Sequence, residues 1–228
     1  MTGLFITATG TEIGKTLITA ALCHQAREAG KPLQALKPII SGLDDDTLDE
    51  SDTAVIAKAL GLPLSDATFD RISPFRFKAP LAPTMAAKAE GRTLDYDAII
   101  HTCRQALDSD TFTLIEGVGG SFVPLAGDRL VADWITDLGL DSILVAGSYL
   151  GTISHTISTL EAMQARGLKV RAIIVSESAP GTLYDNPDLA ETAGEIVRLT
   201  GLPVATIPRI QAADPWRHAP PLLHLLNA

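Results

Sequence analysis

Residues 4–16 read Leu-Phe-Ile-Thr-Ala-Thr-Gly-Thr-Glu-Ile-Gly-Lys-Thr, and this stretch decides the fold. Its first five residues are apolar or β-branched, the composition of a strand covered on both faces. Gly14-Lys15-Thr16 then opens a segment, residues 15–29, in which Ile18, Ala21, Leu22 and Ala26 fall on one helical face and Gly30 supplies a stop. Gly-Lys-Thr at a strand-to-helix turn is the core of a phosphate-binding loop, or P-loop. Gly14 lets backbone approach phosphate oxygens. Successive N–H groups and the helix start supply positive potential. Lys15 can reach the β- and γ-phosphates, and the Thr16 hydroxyl suits magnesium. The usual spacing asks for glycine at position 9, which here is Thr9; Gly10 is out of register.

The same alternation of short apolar runs and longer helical patterns continues outward. Further strands are expected at residues 33–37, 112–116, 142–146, 170–176 and 203–207. Asp95 can cap a helix whose apolar stripe is Tyr96, Ile99, Ile100, Cys103 and Leu107. Asp188 and Glu191 have capping-box spacing before residues 189–199, and Gly201-Leu202-Pro203 ends that helix as Gly61-Leu62-Pro63 ends an earlier one. The pattern implies an α/β fold: a single P-loop NTPase-like domain over residues 1–228, with a mostly parallel central sheet and helices on both faces. Ligands of such sheets bind beyond the carboxyl ends of the strands. Residues 43–50, with five acidic side chains, are expected to form a mobile charged loop.

Composition narrows the function classes. Of 228 residues, 46% are hydrophobic and 20% charged, which suits a packed core. The net charge of −9 argues against a general nucleic-acid binder. Cys23 and Cys103 sit in apolar helical patterns without a Cys/His cluster, as buried free thiols in a reducing compartment would. No leader-like or membrane-length apolar run is visible, so no membrane association and a cytoplasmic location are expected.

Three more residues belong near the P-loop on this reading. Lys37 ends the second strand, at the carboxyl edge of the sheet, where a lysine can stabilise a transferring phosphoryl group. Glu116 ends the third strand before Gly117-Val118-Gly119-Gly120, the place of a second magnesium contact in P-loop proteins. Asp52 begins a helix, as a cap or as a further ligand.

Four segments in order, 9–16 (Thr-Gly-Thr-Glu-Ile-Gly-Lys-Thr), 37–42 (Lys-Pro-Ile-Ile-Ser-Gly), 80–83 (Pro-Leu-Ala-Pro) and 116–120 (Glu-Gly-Val-Gly-Gly), resemble the dethiobiotin synthetase family, as does Leu-Gly-Thr-Ile-Ser-His at 150–155. The resemblance covers most of the chain and weakens beyond about residue 176. It implies ATP- and magnesium-dependent carboxylation and ring closure of 7,8-diaminononanoate with CO2, through a carbamate and a carbamic-phosphoric anhydride. It implies that Glu12, Ile13, Gly14, Lys15, Thr16 and Leu17 wrap the phosphates and that Glu116, Gly117, Val118 and Gly119 line the nucleotide. It also implies that Thr16, Asp52 and Glu116 hold Mg2+, and that Lys15 and the catalytic Lys37 stabilise the phosphoryl group. Thr11 and Ser41 would contact the diamine. In the family's homodimer, Gly151, Thr152, Ile153 and Ser154 would bind the substrate carboxylate across the subunit boundary. His155 is expected to be structural.

Two positions depart from the family. Ala8 stands where the first P-loop glycine is usual, tolerable if its φ is negative. Ser176-Glu177 stands where the family commonly reads adenine with Asn-Asp, which implies looser nucleotide choice. Pro208, Arg209 and Ile210 follow the last strand and are expected to close over the base. The main rival is a partner-activated switch of the partitioning-ATPase type, but Gly10 stands where such proteins carry an extra lysine. An amide-forming ligase would usually need a glutamine-amidotransferase domain, and a non-catalytic binding module leaves Lys37 unexplained.

Overall fold

The computed structural model describes residues 2–43, 45–179 and 188–226. In chain order the elements begin β1 (Gly3–Ala8), α1 (Lys15–Glu28), β2 (Leu33–Leu36), β3 (Ile39–Ser41), α2 (Asp52–Leu60), α3 (Asp66–Ile72), β4 (Phe75–Phe77), α4 (Pro83–Ala89) and α5 (Tyr96–Leu107). There follow β5 (Phe112–Glu116), β6 (Pro124–Ala126), β7 (Arg129–Leu130), α6 (Val131–Leu138), β8 (Ser142–Gly147), α7 (Thr152–Ala165), β9 (Val170–Ser176), α8 (Leu189–Thr200) and β10 (Val204–Ile207). The six expected strands form one sheet in the order β10-β9-β8-β1-β5-β2, every neighbouring pair parallel.

β1 lies inside this sheet, so both its faces must be apolar. Leu4 and Ile6 pack with α1, α2 and the C-terminal Trp216, Leu222 and Leu225. Phe5, on the opposite face, packs with Ile99, Trp134 and Met163 of α5, α6 and α7, meeting the Trp134 ring edge-on at 4.9 Å. The period-2 alternation of a strand thus divides the core into two layers. Cys23 and Cys103 are buried, free thiols in these two layers.

Several expectations are corrected. Where a charged loop is expected, Asp45–Glu50 forms a 3-10 helix; Asp44 lies outside the described residues. Asp52 does not cap α2: the Ser51 hydroxyl accepts the Ala54 N–H, and Asp52 occupies the first helical turn with its side chain free for other use. Lys37 falls one residue beyond β2. β2 lies one strand away from β1, with β5 between them, near enough to bring Lys37 to the P-loop. The short pair β3 and β4, in parallel register with Ser41 opposite Phe77, had no sequence signal. The last residues, too, had no assigned place. Pro215–His218 and Leu223–Leu226 are 3-10 turns laid against α1, with Trp216 edge-on to His24 at 5.1 Å and Gln25 Nε2 donating to the Pro220 carbonyl. The C-terminal segment therefore backs the helix that carries the P-loop. Among the described residues, no helix is long and apolar enough to cross a membrane.

Candidate active site at the carboxyl rim of the sheet

The strand ends at one rim supply the site. β1 delivers Ala8 to the P-loop, β5 delivers Glu116, and the chain leaving β2 delivers Lys37. The P-loop backbone is fixed by sterics. Gly14 adopts φ 97° and its α-carbon faces Ser176, so a Cβ there would sit 2.7 Å from Ser176 Oγ. Glu12, at φ 58°, is the one non-glycine with positive φ among the described residues. Ala8 is not in that region, and its methyl is fully buried, so the departure from glycine is accommodated as expected. The neighbouring turn closes tightly on the loop: a Cβ on Gly120 would meet Gly10 N at 3.2 Å and Ala8 O at 3.3 Å. Ser121 N–H donates to Ala8 O at 2.9 Å.

Five predicted side chains converge here. Lys15 Nζ donates to Gly119 O at 2.7 Å, tying the P-loop to the turn after Glu116. Thr16 Oγ1 donates to Glu116 Oε1 at 2.7 Å. Lys37 Nζ donates to the same Glu116 oxygen at 2.7 Å, to Asp52 Oδ2, and more weakly to Thr16 Oγ1 at 3.4 Å. Glu116 is fully buried, and its second oxygen, Oε2, has no protein partner. Burial pushes the Lys37 ammonium down, but Glu116 and Asp52 outweigh it and hold its pKa above the ordinary lysine value. Burial likewise works against the Asp52 carboxylate, and the adjacent Lys37 ammonium reverses this, leaving its pKa lowered. Lys15 is the exception: burial dominates, only partly offset by Glu116, and brings it down to about 8.

Several hollows share walls at this point, and three of them are lined by the residues expected to bind ligand. Lys15, Thr16, Lys37, Asp52 and Ser41 line a cavity of about 310 Å³ with Thr11, Glu12, Ile13, Gly14, Val118 and Gly119. A second, of about 430 Å³, lies beyond Glu12–Gly14 and Leu17, walled by Ser176, Glu177, Pro208, Arg209 and Ile210. Glu177 fastens this wall: its N–H donates to Ile207 O at 2.8 Å and its Oε2 accepts the Arg209 N–H at 2.7 Å. Gln211 also lines it and was not singled out in the sequence, because a lone glutamine in an irregular segment carries no pattern. The third hollow, of about 390 Å³, runs from Thr11 and Ser41 to Pro80–Pro83 and Val123. Gly117, whose N–H donates to Ile6 O at 2.9 Å, lines none of these three.

Gly151–Ser154 stands apart from these hollows. Gly151 is the N-cap of α7, Thr152 Oγ1 is turned inward to Gly147 O at 2.7 Å, and neighbouring Leu150 is 78% exposed. His155 Nδ1 pairs with the Tyr149 hydroxyl at 2.9 Å, which fits a structural role.

Among the described residues, no trio of His, Cys, Asp and Glu side chains gathers as a self-sufficient metal site. Thr16, Asp52 and Glu116 offer one hydroxyl and two carboxylates. That is a fitting donor set for a hard cation whose remaining ligands are phosphate oxygens and water, and the unpartnered Glu116 Oε2 is a spare acceptor for it.

A family model described as an AAA domain matches residues 2–215. The chain is 46% identical over 196 residues to the ATP-dependent dethiobiotin synthetase BioD of Caulobacter vibrioides, covering 85% of this chain and 86% of that one. It is 42% identical to the protein of the same name from Phenylobacterium zucineum, over 92% of this chain and 89% of the relative. Among solved structures, the Aquifex aeolicus MinC:MinD cell division complex aligns with TM-score 0.57 and 13% identity, over 96% of this chain and 86% of that chain. A ParA family ATPase from Chlorobium tepidum aligns with TM-score 0.52 and 16% identity, over 92% and 85%. These two share the fold alone.

The lowered Lys15 pKa has a consequence for stability. In an unfolded chain Lys15 titrates near 10.5, and in the folded protein near 8. Between these values the unfolded chain holds a proton that the native state lacks, so the native state gains stability as pH rises through this window and loses it as pH falls through about 8. Urea unfolding at pH 7.5 and 9.5 should show this gain, roughly 2 kcal/mol relative to Lys15→Met, in which it is absent.

Proposed function

The chain belongs to the ATP-dependent dethiobiotin synthetases, ligases of biotin biosynthesis, and from that premise we propose that the three hollows divide the reaction among phosphates, base and diamine. The observation that carries this reading is the convergence of Lys15, Thr16, Lys37 and Asp52 on one cavity, with Glu116 bonded behind Thr16 and Lys37. The triphosphate lies along Glu12–Leu17, with Lys15 on the β- and γ-phosphates and the helix start of α1 adding its dipole. Mg2+ would be held by Thr16, Asp52 and Glu116, and when bound it neutralises phosphate charge as ADP departs.

The diamine, 7,8-diaminononanoate, enters by the hollow at Pro80–Pro83, where Thr11 and Ser41 face both it and the phosphate cavity. One amine adds to CO2 and loses a proton, giving a carbamate. A carbamate oxygen attacks the γ-phosphorus, the bond to ADP breaks, and a carbamic-phosphoric anhydride forms. The second amine attacks the carbonyl carbon, expels phosphate and loses a proton, closing the ring of dethiobiotin. No nucleophilic side chain is needed: Lys37 and Lys15 stabilise charge on the moving phosphoryl group while the pocket holds three reactants in line. Gly151–Ser154 serves a second copy of the chain, binding the far carboxylate at the N-terminus of a 14-residue helix, beside exposed Leu150. A cytoplasmic location accompanies this reading and agrees with two buried free thiols.

Incubated with diamine, bicarbonate, magnesium and ATP, the protein should yield dethiobiotin by mass. Lys37→Gln should fold and lose at least about a hundredfold in rate, the scale for removing one charge-stabilising donor; near wild-type turnover would remove Lys37 from this role. Ser176 offers one hydroxyl where an amide could bond the adenine N6 and N7 together. Discrimination for adenine should therefore fall by roughly 1–3 kcal/mol, leaving CTP and GTP measurable as co-substrates. Preference for ATP above about a hundredfold would refute this.

A further inference from the structure

The proposed metal ligands are already occupied by a cation of the protein itself. Lys37 Nζ bonds all three: Glu116 Oε1 at 2.7 Å, Asp52 Oδ2, and Thr16 Oγ1 at 3.4 Å. We infer that Lys37 is an internal counter-cation that fills the divalent-metal position in the nucleotide-free protein, and that the triphosphate draws it off, so that metal enters only with nucleotide. The inference rests on the reading of Thr16, Asp52 and Glu116 as metal ligands.

Three observations carry it. Glu116 is fully buried, a buried carboxylate is strongly disfavoured without a cation beside it, and the cation that stands there before any ligand arrives is Lys37. Lys15, the other ammonium of the cavity, does not fill that place: it is bonded to the carbonyls of Gly119 and Gly10, not to a carboxylate. Lastly, the two occupants exclude one another. An ion held jointly by Glu116, Asp52 and Thr16, through either oxygen of Glu116, would stand a few ångströms from an ammonium bonded to the same three side chains, and the two cations would repel.

Lys37 also has somewhere to go. It lines the cavity that faces Lys15 and the P-loop, so a short swing of its flexible stem moves the charge from carboxylates to phosphate oxygens. One residue thereby does two things in sequence: it offsets the buried Glu116 charge in the empty site, and it delivers a positive charge to the phosphoryl group as the metal takes its place.

The test reads metal binding rather than turnover, by loss of the free Mn2+ electron paramagnetic resonance signal in nucleotide-free protein. Wild type should bind Mn2+ weakly at this site. Lys37→Gln should bind it at least about tenfold more tightly, with a matching rise in Tm on adding Mn2+, and Lys37→Gln/Glu116→Gln should lose the gain. Lys15→Gln, which removes the same charge from the cavity without vacating the carboxylates, should gain far less. Mn2+ binding by wild type as tight as by Lys37→Gln, and abolished by Glu116→Gln, would overturn the inference while leaving the ligands as read. An equal gain in Lys15→Gln would also overturn it. No Glu116-dependent Mn2+ binding in any variant, with or without nucleotide, would remove the ligand reading itself. If Lys37→Gln did not fold, wild type titrated with and without a non-hydrolysable ATP analogue would decide: Glu116-dependent Mn2+ binding only with the analogue is expected, and equally tight Glu116-dependent binding without it would overturn the inference.

Discussion

A carboxylate with no access to water is costly unless a cation and hydrogen-bond donors stand beside it, and in this molecule that carboxylate is Glu116, with Lys37 and Thr16 against it. It stands at the end of β5, between the strands that lead to the P-loop and to Lys37. Lys37 and Thr16 both donate to one of its oxygens, and Lys37 reaches on to Asp52. The charge requirement of one buried group thus pins three separate pieces of chain together at the rim of the sheet. The same cluster carries the positive charge and oxygen donors that phosphoryl transfer demands.

The packing behind the rim makes this arrangement stiff. β1 is sealed on both faces, by Trp134 against Phe5 on one side and by α1 on the other. The C-terminal turns brace α1 from outside through Trp216 and the Gln25 amide. Gly120 closes against the backbone of Ala8 and Gly10 too tightly for a side chain to fit without displacement. A backbone built on such elements needs little rearrangement when a ligand arrives, and the motion is left to one side chain, Lys37.

Much of this was legible in the sequence because it rests on strong local patterns. The fully apolar strands, the amphipathic α1 and α5, and the Gly-Lys-Thr turn state their own geometry, and the carboxyl-end rule then gathers Lys15, Lys37 and Glu116 at one rim. What escaped has no local signature. β3 and β4 are three residues each, too short for a period to show, yet they carry Ser41 to the cavity. The insertion of β5 between β1 and β2 is a property of the whole sheet. Ser51 rather than Asp52 caps α2, a choice between adjacent residues that tertiary contact decides, since Asp52 is taken by Lys37. The acidic run at 45–50 folds as a 3-10 turn because hydrogen bonds from Lys58 and Ser51 tie it to α2.

A crystal structure with Mn2+ and a non-hydrolysable ATP analogue would test the central claim most directly. The anomalous signal of manganese should lie among Thr16, Asp52, Glu116 and the terminal phosphates, with Lys37 Nζ bonded to the γ-phosphate. A triphosphate bound away from Gly14–Thr16, or manganese distant from Glu116, would contradict it.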